Sequence, residues 1–73
     1  MKFRVNDQVI ITRNYQYTDN AGDPHTIANG SEGTVKNVVP AFNEYSVAFP
    51  NQPISVRVSE IDLKAKVAAI PPM

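Results

Sequence analysis

Apolar side chains recur at every second position in this chain, and no segment shows a helical period of useful length. In EYSVAF (44–49), Tyr45, Val47 and Phe49 share one face, and ISVRV (54–58) alternates in the same way. Such alternation is typical of half-buried β-strands. We predict five short strands, over residues 8–13, 32–39, 44–49, 54–58 and 63–67. The predicted fold class is therefore all-β, a small barrel.

Turn-forming residues separate these strands. Asn29-Gly30 suits a turn with positive φ, and Gly33, at the start of the next strand, indicates a bulge or the close approach of another backbone. Pro40 ends that strand. SEID (59–62) predicts one helical turn, with Ser59 as its cap and Ile61 closing the end of the barrel.

The predicted core consists of alternating strand residues, one residue from the long segment before the second strand, and Ile61. Its members are Val9, Ile11, Ile27, Val35, Val47, Phe49, Val56, Val58, Ile61 and Leu63. Phe3 is a candidate to cover one end of the barrel. Residues 14–30 (NYQYTDNAGDPHTIANG) lack a clear period and are predicted to form a long loop between the first two strands. Loops of this length often carry function.

The length of 73 residues predicts one domain, which we place at 1–67, followed by a flexible tail at 68–73 containing Pro71 and Pro72. A domain of this size is marginally stable by itself. The sequence contains no cysteine and one histidine, which excludes a disulfide and argues against an all-protein zinc site. Self-association is the remaining common source of extra stability.

The seven basic and seven acidic residues give zero net charge, without a block of like charge. Proteins that bind nucleic acids usually show a basic surface, which the composition does not indicate. No apolar run approaches the ~20 residues of a membrane span, and the first residues lack the apolar core of a secretory signal. We expect a cytoplasmic protein that does not bind a membrane, a metal or a cofactor.

Four stretches together resemble the SH3-like barrel families. In chain order they are VNDQVIIT, IANGSEGTV, YSVAF and VRVSEIDLK, spanning about residues 5–64. The resemblance implies a five-stranded barrel. It implies several kinds of function: accessory subunits of photosynthetic and redox complexes, KOW-type modules of ribosomes and transcription, peptide-binding signalling domains, and the type II dihydrofolate reductase. The accessory subunits are the most similar in layout, because they also have a long loop after the first strand.

Two sets of side chains are candidates for binding. Tyr15, Tyr17 and Phe42 are the aromatic residues that the core pattern needs least, and tyrosine is common in binding hot spots. Alternatively, the tyrosines hold the long loop against the barrel. Arg13, Lys36 and Arg57 lie on the outward sides of predicted strands. They form either a phosphate-binding patch or ordinary surface charges paired with Glu44 or Glu60.

No residue pattern indicates catalysis. His25 follows Asp23-Pro24 without a nucleophile at a recognisable spacing, so a solvated loop histidine is the simpler interpretation. We expect a non-catalytic binding or accessory protein that contacts a larger protein, or a second copy of itself, through the long loop and the barrel surface. The alternatives are a KOW-like nucleic-acid module and an oligomeric reductase-like enzyme, although Arg57 replaces the glutamine expected in the pore strand of that enzyme.

Overall fold

The computed structural model describes residues 2–66, and these form an all-β domain, as predicted. It contains seven strands and two short 3₁₀ helices, here called η1 and η2. In chain order they are β1 (Gln8–Ile11), β2 (Tyr15–Thr18), β3 (Pro24–Ile27), β4 (Glu32–Val39), η1 (Pro40–Phe42), β5 (Glu44–Ala48), β6 (Val56–Ser59), η2 (Glu60–Asp62) and β7 (Leu63–Ala65). The predicted flexible tail at 68–73 lies outside the described residues.

Five strands form one antiparallel sheet in the order β6-β5-β4-β1-β7, and β2 pairs with β3 in a separate hairpin. Sequence neighbours pair within the sheet except where β1 lies between β4 and β7. Among the described residues, the two sheets are not closed into a barrel by a continuous hydrogen-bonded ladder. The hairpin is joined to the large sheet by side chains, and these contacts position the candidate site.

The core lies between the large sheet and the hairpin. Its buried residues are Phe3, Val9, Ile11, Ile27, Val35, Tyr45, Val47, Phe49, Val56, Val58 and Leu63. Nine of the ten predicted core residues are among them. The prediction for Ile61 was wrong, because η2 turns its side chain outward and leaves it 87% exposed. Phe3 packs edge-on against Tyr45, with ring centroids 5.3 Å apart, and covers part of the core.

The prediction of a long loop at residues 14–30 was wrong, because most of these residues form the β2–β3 hairpin. Tyr15 and Tyr17 are half-buried while Gln16 and Thr18 are exposed, so β2 alternates as a strand does. Its partner strand pairs in register from Ile27 to Pro24. The first strand is also shorter than predicted: it ends at Ile11, after which the chain bends at residues 12–13.

Gly33 lies where a side chain has no room, as its position at the start of a strand indicated. A Cβ atom there would lie 2.6 Å from Val47 Cγ1 and 3.0 Å from the Ala48 carbonyl oxygen. The bulge of β4 lies further along, between Val35 and Asn37, where the register with β5 shifts. The glycine therefore serves close packing, while Lys36 occupies the bulge.

The predicted turn at Asn29-Gly30 and the predicted helical turn after Ser59 both form, but each differs in one respect from the prediction. Gly30 has the positive φ of +92° expected of the Asn29-Gly30 turn, but Asn29 is not among the left-handed residues. Ser59 does not cap η2 with its side chain. It remains extended, and the Glu60 amide donates instead to the Asn43 carbonyl at 2.9 Å.

The part of the chain that the structure describes contains no helix with the length and apolar character needed to cross a membrane.

Candidate functional site

Contacts link four side chains from separate parts of the chain beside the hairpin, and the exposed Ile61 precedes Asp62, which pairs with one of them. We call this surface the aromatic face. It consists of Arg13, Tyr15, Phe42, Arg57 and Ile61. The Tyr15 hydroxyl donates to the Arg57 carbonyl at 2.7 Å, which fixes the hairpin against β6. The Arg13 guanidinium lies 5.2 Å from the centre of the Tyr15 ring, and the Arg57 guanidinium lies 5.7 Å from that of Phe42.

The two short 3₁₀ helices hold the apolar members of the aromatic face in solvent. After η1, Asn43 adopts a left-handed conformation, and its carbonyl accepts the Glu60 amide at the start of η2. Phe42 directly precedes Asn43 and Ile61 directly follows Glu60, so this hydrogen bond places both residues at the same end of the sheet. Phe42 is 68% exposed and Ile61 is 87% exposed. A third exposed apolar residue, Val5, lies in the N-terminal segment.

Each arginine of the aromatic face already has a carboxylate partner. Arg13 Nε lies 3.0 Å from Asp62 Oδ1, and Arg57 Nη2 lies 2.8 Å from Glu44 Oε1. The face thus carries balanced charges, and its guanidinium planes cover aromatic rings. Such pairing reduces its attraction for a phosphate backbone, which gains affinity from unpaired positive charge.

The structure brings together two of the three basic residues proposed for nucleic-acid binding. Arg13 and Arg57 both contact Tyr15, whereas Lys36 lies exposed at the bulge of β4. No contact among the described residues joins Lys36 to either arginine. The pairing of Arg57 with Glu44 agrees with the interpretation of these residues as ordinary surface charges.

Tyr17 anchors the hairpin to the connection between β5 and β6. Its hydroxyl donates to Gln52 Oε1 at 2.7 Å, and its ring stacks on His25 with centroids 5.1 Å apart. Burial, together with the nearby charge of Asp19, raises the pKa of Tyr17. The hydroxyls of Tyr15 and Tyr17 both hold the hairpin in place, which agrees with the alternative interpretation of these two residues.

Asp19 organises the turn of the hairpin. Its Oδ1 accepts the amides of Ala21 and Asp23, and its Oδ2 lies 2.7 Å from His25 Nε2. The hydrogen bond from His25 is the main reason that the pKa of Asp19 lies below its usual value, and the amide of Asp23 adds to the effect. His25, which the sequence left as a solvated loop residue, is instead half-buried in this turn.

We expect acid to loosen this turn, and the substitution Asp19→Asn to weaken its pH dependence. Because the folded-state pKa of Asp19 is lowered, its contribution is present above the ordinary carboxyl pKa of about 4 and is lost as pH falls through the lowered value. Exchange rates of the Ala21 and Asp23 amides, measured by NMR between pH 6 and 2, test this. Equal acid sensitivity of both proteins would contradict it, and Asp7→Asn is the control.

Within residues 2–66, no group of three or more histidine or acidic side chains is placed to hold a metal ion.

Two features of the aromatic face were missed from the sequence. Ile61 was assigned to the core, although the acids on both sides of it in EID are a signal of exposure. The approach of Arg57 to Phe42 depends on the pairing of β5 with β6 and has no local signal.

We compared the chain with models of protein families, with curated proteins and with solved structures, and none of them matched. Its function is therefore inferred from its residues and their contacts.

Proposed function

We propose that this chain is a non-catalytic binding protein that holds a larger protein through the aromatic face. The observation that carries the proposal is the exposure of Phe42 and Ile61 at one end of the sheet, where Arg57 lies over the Phe42 ring and Arg13 pairs with Asp62, the residue after Ile61. Large apolar side chains rarely cluster in solvent without a partner to cover them. Aromatic residues and arginine are also the residue types enriched in protein interfaces and their hot spots.

The charges of the aromatic face support a protein as the partner. Arg13 and Arg57 are each paired with a carboxylate, so a partner meets apolar rings edged by balanced charge. This matches the apolar centre and polar rim of a protein interface. The aromatic face supports the nucleic-acid alternative less well, because the carboxylates of Asp62 and Glu44 beside the arginines would repel phosphates. The reductase-like alternative requires the strand containing Arg57 to line a shared pore, whereas the Arg57 guanidinium is paired with Glu44 and lies over Phe42.

We propose further that the fold is a variant of the SH3-like barrel. Three observations support this: the sheet order β6-β5-β4-β1-β7, the hairpin inserted between β1 and β4, and the short helical turn between β6 and β7. The hairpin supplies a partial second layer over the core. A fold of this kind does not specify a function, so the proposal for binding depends on the aromatic face.

We expect removal of the apolar members of the aromatic face to abolish binding without unfolding the protein. The test captures partners from the source cells with immobilised wild-type protein and with Phe42→Ser and Ile61→Ser variants. If Phe42 is a hot spot, its loss costs about 2 kcal/mol, or about 30-fold in affinity. Because both side chains are exposed, the variants should keep the melting temperature of the wild type.

The matched control is Val5→Ser, which removes an exposed apolar side chain outside the aromatic face. A partner captured equally by the wild type and the Val5 variant, but lost from both face variants, would support the proposal. A partner retained by both face variants binds elsewhere, and that result would reject the aromatic face as the interface.

A further inference from the structure

A cleft of about 450 Å³ opens between β3, the start of β4 and the connection from β5 to β6. We call it the edge cleft. Its lining includes Thr26, Ile27, Glu32, Phe49, Pro50 and Gln52. Its volume lies in the range of ligand-binding pockets. None of these residues belongs to the aromatic face, so the edge cleft is a separate site.

The outer edge of β3 forms one wall of the edge cleft. Among the described residues β3 pairs only with β2. The Asp19 amide donates to the Asp23 carbonyl, so these two residues form a hydrogen-bonded pair of the hairpin. In an antiparallel ladder such pairs alternate with pairs that are not hydrogen-bonded, so the next hydrogen-bonded pair is Tyr17 with His25. Thr26 therefore lies at a position where the backbone N–H and C=O point away from β2. The N–H and C=O of Thr26 therefore point away from the hairpin at the unpaired edge of β3.

The start of β4 supplies a second backbone edge. The Ser31 carbonyl accepts the Ile11 amide, and the Val35 amide donates to the Asp7 carbonyl, so the backbone groups at these alternate positions face the segment containing β1. The N–H and C=O of Glu32 therefore point to the opposite side, toward β5. The pairing of β4 with β5 begins at Thr34 and Ala48, so Glu32 lies beyond it, and Glu32 and Pro50 both line the edge cleft. Proline has no N–H to donate, and no backbone hydrogen bond joins the two residues.

We propose that the edge cleft binds an extended peptide segment by β-strand addition. Thr26 and Glu32 each offer one N–H and one C=O, which match the main chain of an extended strand. The exposed ring of Pro50 offers an apolar contact to a side chain of that segment, while Ile27 and Phe49, which also line the edge cleft, are almost completely buried in the core. Recognition through the main chain requires a peptide with free N–H groups at the paired positions. It sets little demand on the side chains that face solvent.

The substitution Thr26→Pro tests this proposal. It removes the N–H that β3 directs outward while leaving the ladder between β2 and β3 intact, since Thr26 does not pair with β2 through that group. Thr18→Pro is the matched control: it makes the same change at an equivalent outward position of β2, away from the edge cleft. The probe is a phage library of random linear heptapeptides selected on the wild-type protein.

We expect the selected peptides to bind Thr26→Pro at least tenfold more weakly than the wild type and to bind Thr18→Pro normally. N-methylation of alternate backbone nitrogens in one selected peptide should abolish its binding to the wild-type protein, and this result holds even if a proline variant fails to fold. Failure to select any peptide, or equal binding by the N-methylated peptides, would overturn the proposal. Peptides that lose binding with Phe42→Ser instead occupy the aromatic face, which would reject strand addition and leave the proposed function supported.

Discussion

Replacing Gly33 by alanine should destabilise this domain, because the added methyl group has no room in the sheet. The new Cβ would lie 2.6 Å from Val47 Cγ1, 3.0 Å from the Ala48 carbonyl oxygen and 3.0 Å from Phe49 Cδ1. The first contact is shorter than real Cβ atoms tolerate, and the carbonyl belongs to a paired backbone that has little freedom to move. Crowding of this kind costs about 1–3 kcal/mol.

That cost is large for a domain of this size. A chain of this length has a total stability of roughly 4–11 kcal/mol. A loss of 2 kcal/mol lowers the melting temperature by roughly 8–16 °C for a domain of 60–100 residues. Thermal unfolding followed by circular dichroism, with urea unfolding as a second measurement, tests the prediction for Gly33→Ala.

A double substitution separates crowding from loss of strand flexibility. In Gly33→Ala combined with Val47→Ala, the shortest contact is removed, so the double variant should be more stable than the sum of the two single effects predicts. The residual loss reflects the Ala48 carbonyl and Phe49 contacts, together with the cavity left at Val47. Strict additivity of the two effects would show that Gly33 is needed for a reason other than this contact.

The sequence predicted those parts of the fold that a local pattern determines. Strict alternation located β5 and most of β6, and the run from Glu32 to Val39 matched β4. The β2–β3 hairpin was missed because only one of its eight residues is fully buried. Asp19 holds its turn by accepting two backbone amides, and the tyrosine hydroxyls join it to the rest of the domain. These polar contacts produce no hydrophobic period.

The candidate site was predicted only in part, since its members meet through tertiary contacts. Phe42 is exposed, as its omission from the predicted core indicated, whereas Tyr15 and Tyr17 are partly buried against the core. The binding role of the three residues remains a proposal. The connection of Tyr15 and Phe42 through Arg57 depends on strand pairing and on one hydroxyl that reaches a strand edge. Ile61 was wrongly assigned to the core, because a single helical turn is too short to show a hydrophobic period that distinguishes a buried side chain from an exposed one.

Tyr45 is another residue whose role the sequence understated, because alternation placed it on the core side without revealing its polar contacts. It is fully buried, and its hydroxyl receives the Phe3 amide at 2.9 Å while donating a very short hydrogen bond to Glu60 Oε2. The same carboxylate oxygen accepts the Lys2 amide at 3.1 Å. This network joins the N-terminal segment to the start of η2, and it keeps Phe3 packed over the core.

The network shifts the pKa values of both of its side chains. Burial, and then the hydrogen bond to Glu60, raise the pKa of Tyr45. The hydrogen bond from Tyr45, followed by that from the Lys2 amide, lowers the pKa of Glu60. The contribution of Glu60 to stability is therefore present above its ordinary pKa of about 4.3 and is lost as pH falls through the lowered value. That of Tyr45 is present below about pH 10 and is lost as pH rises through the raised value.

Tyr45→Phe should therefore lower the free energy of unfolding by about 1–3 kcal/mol at pH 7, because it leaves the Phe3 amide without its buried acceptor. The difference from the wild type in the free energy of unfolding should narrow as pH falls through the lowered pKa of Glu60, but some of it should persist because the Phe3 amide remains unpaired. Urea unfolding at a series of pH values from 7 down to 2 measures both effects. Tyr15→Phe is the control, since it removes a hydroxyl bonded to an exposed strand edge. A loss for Tyr45→Phe that does not change with pH would show that Glu60 contributes nothing through this hydroxyl.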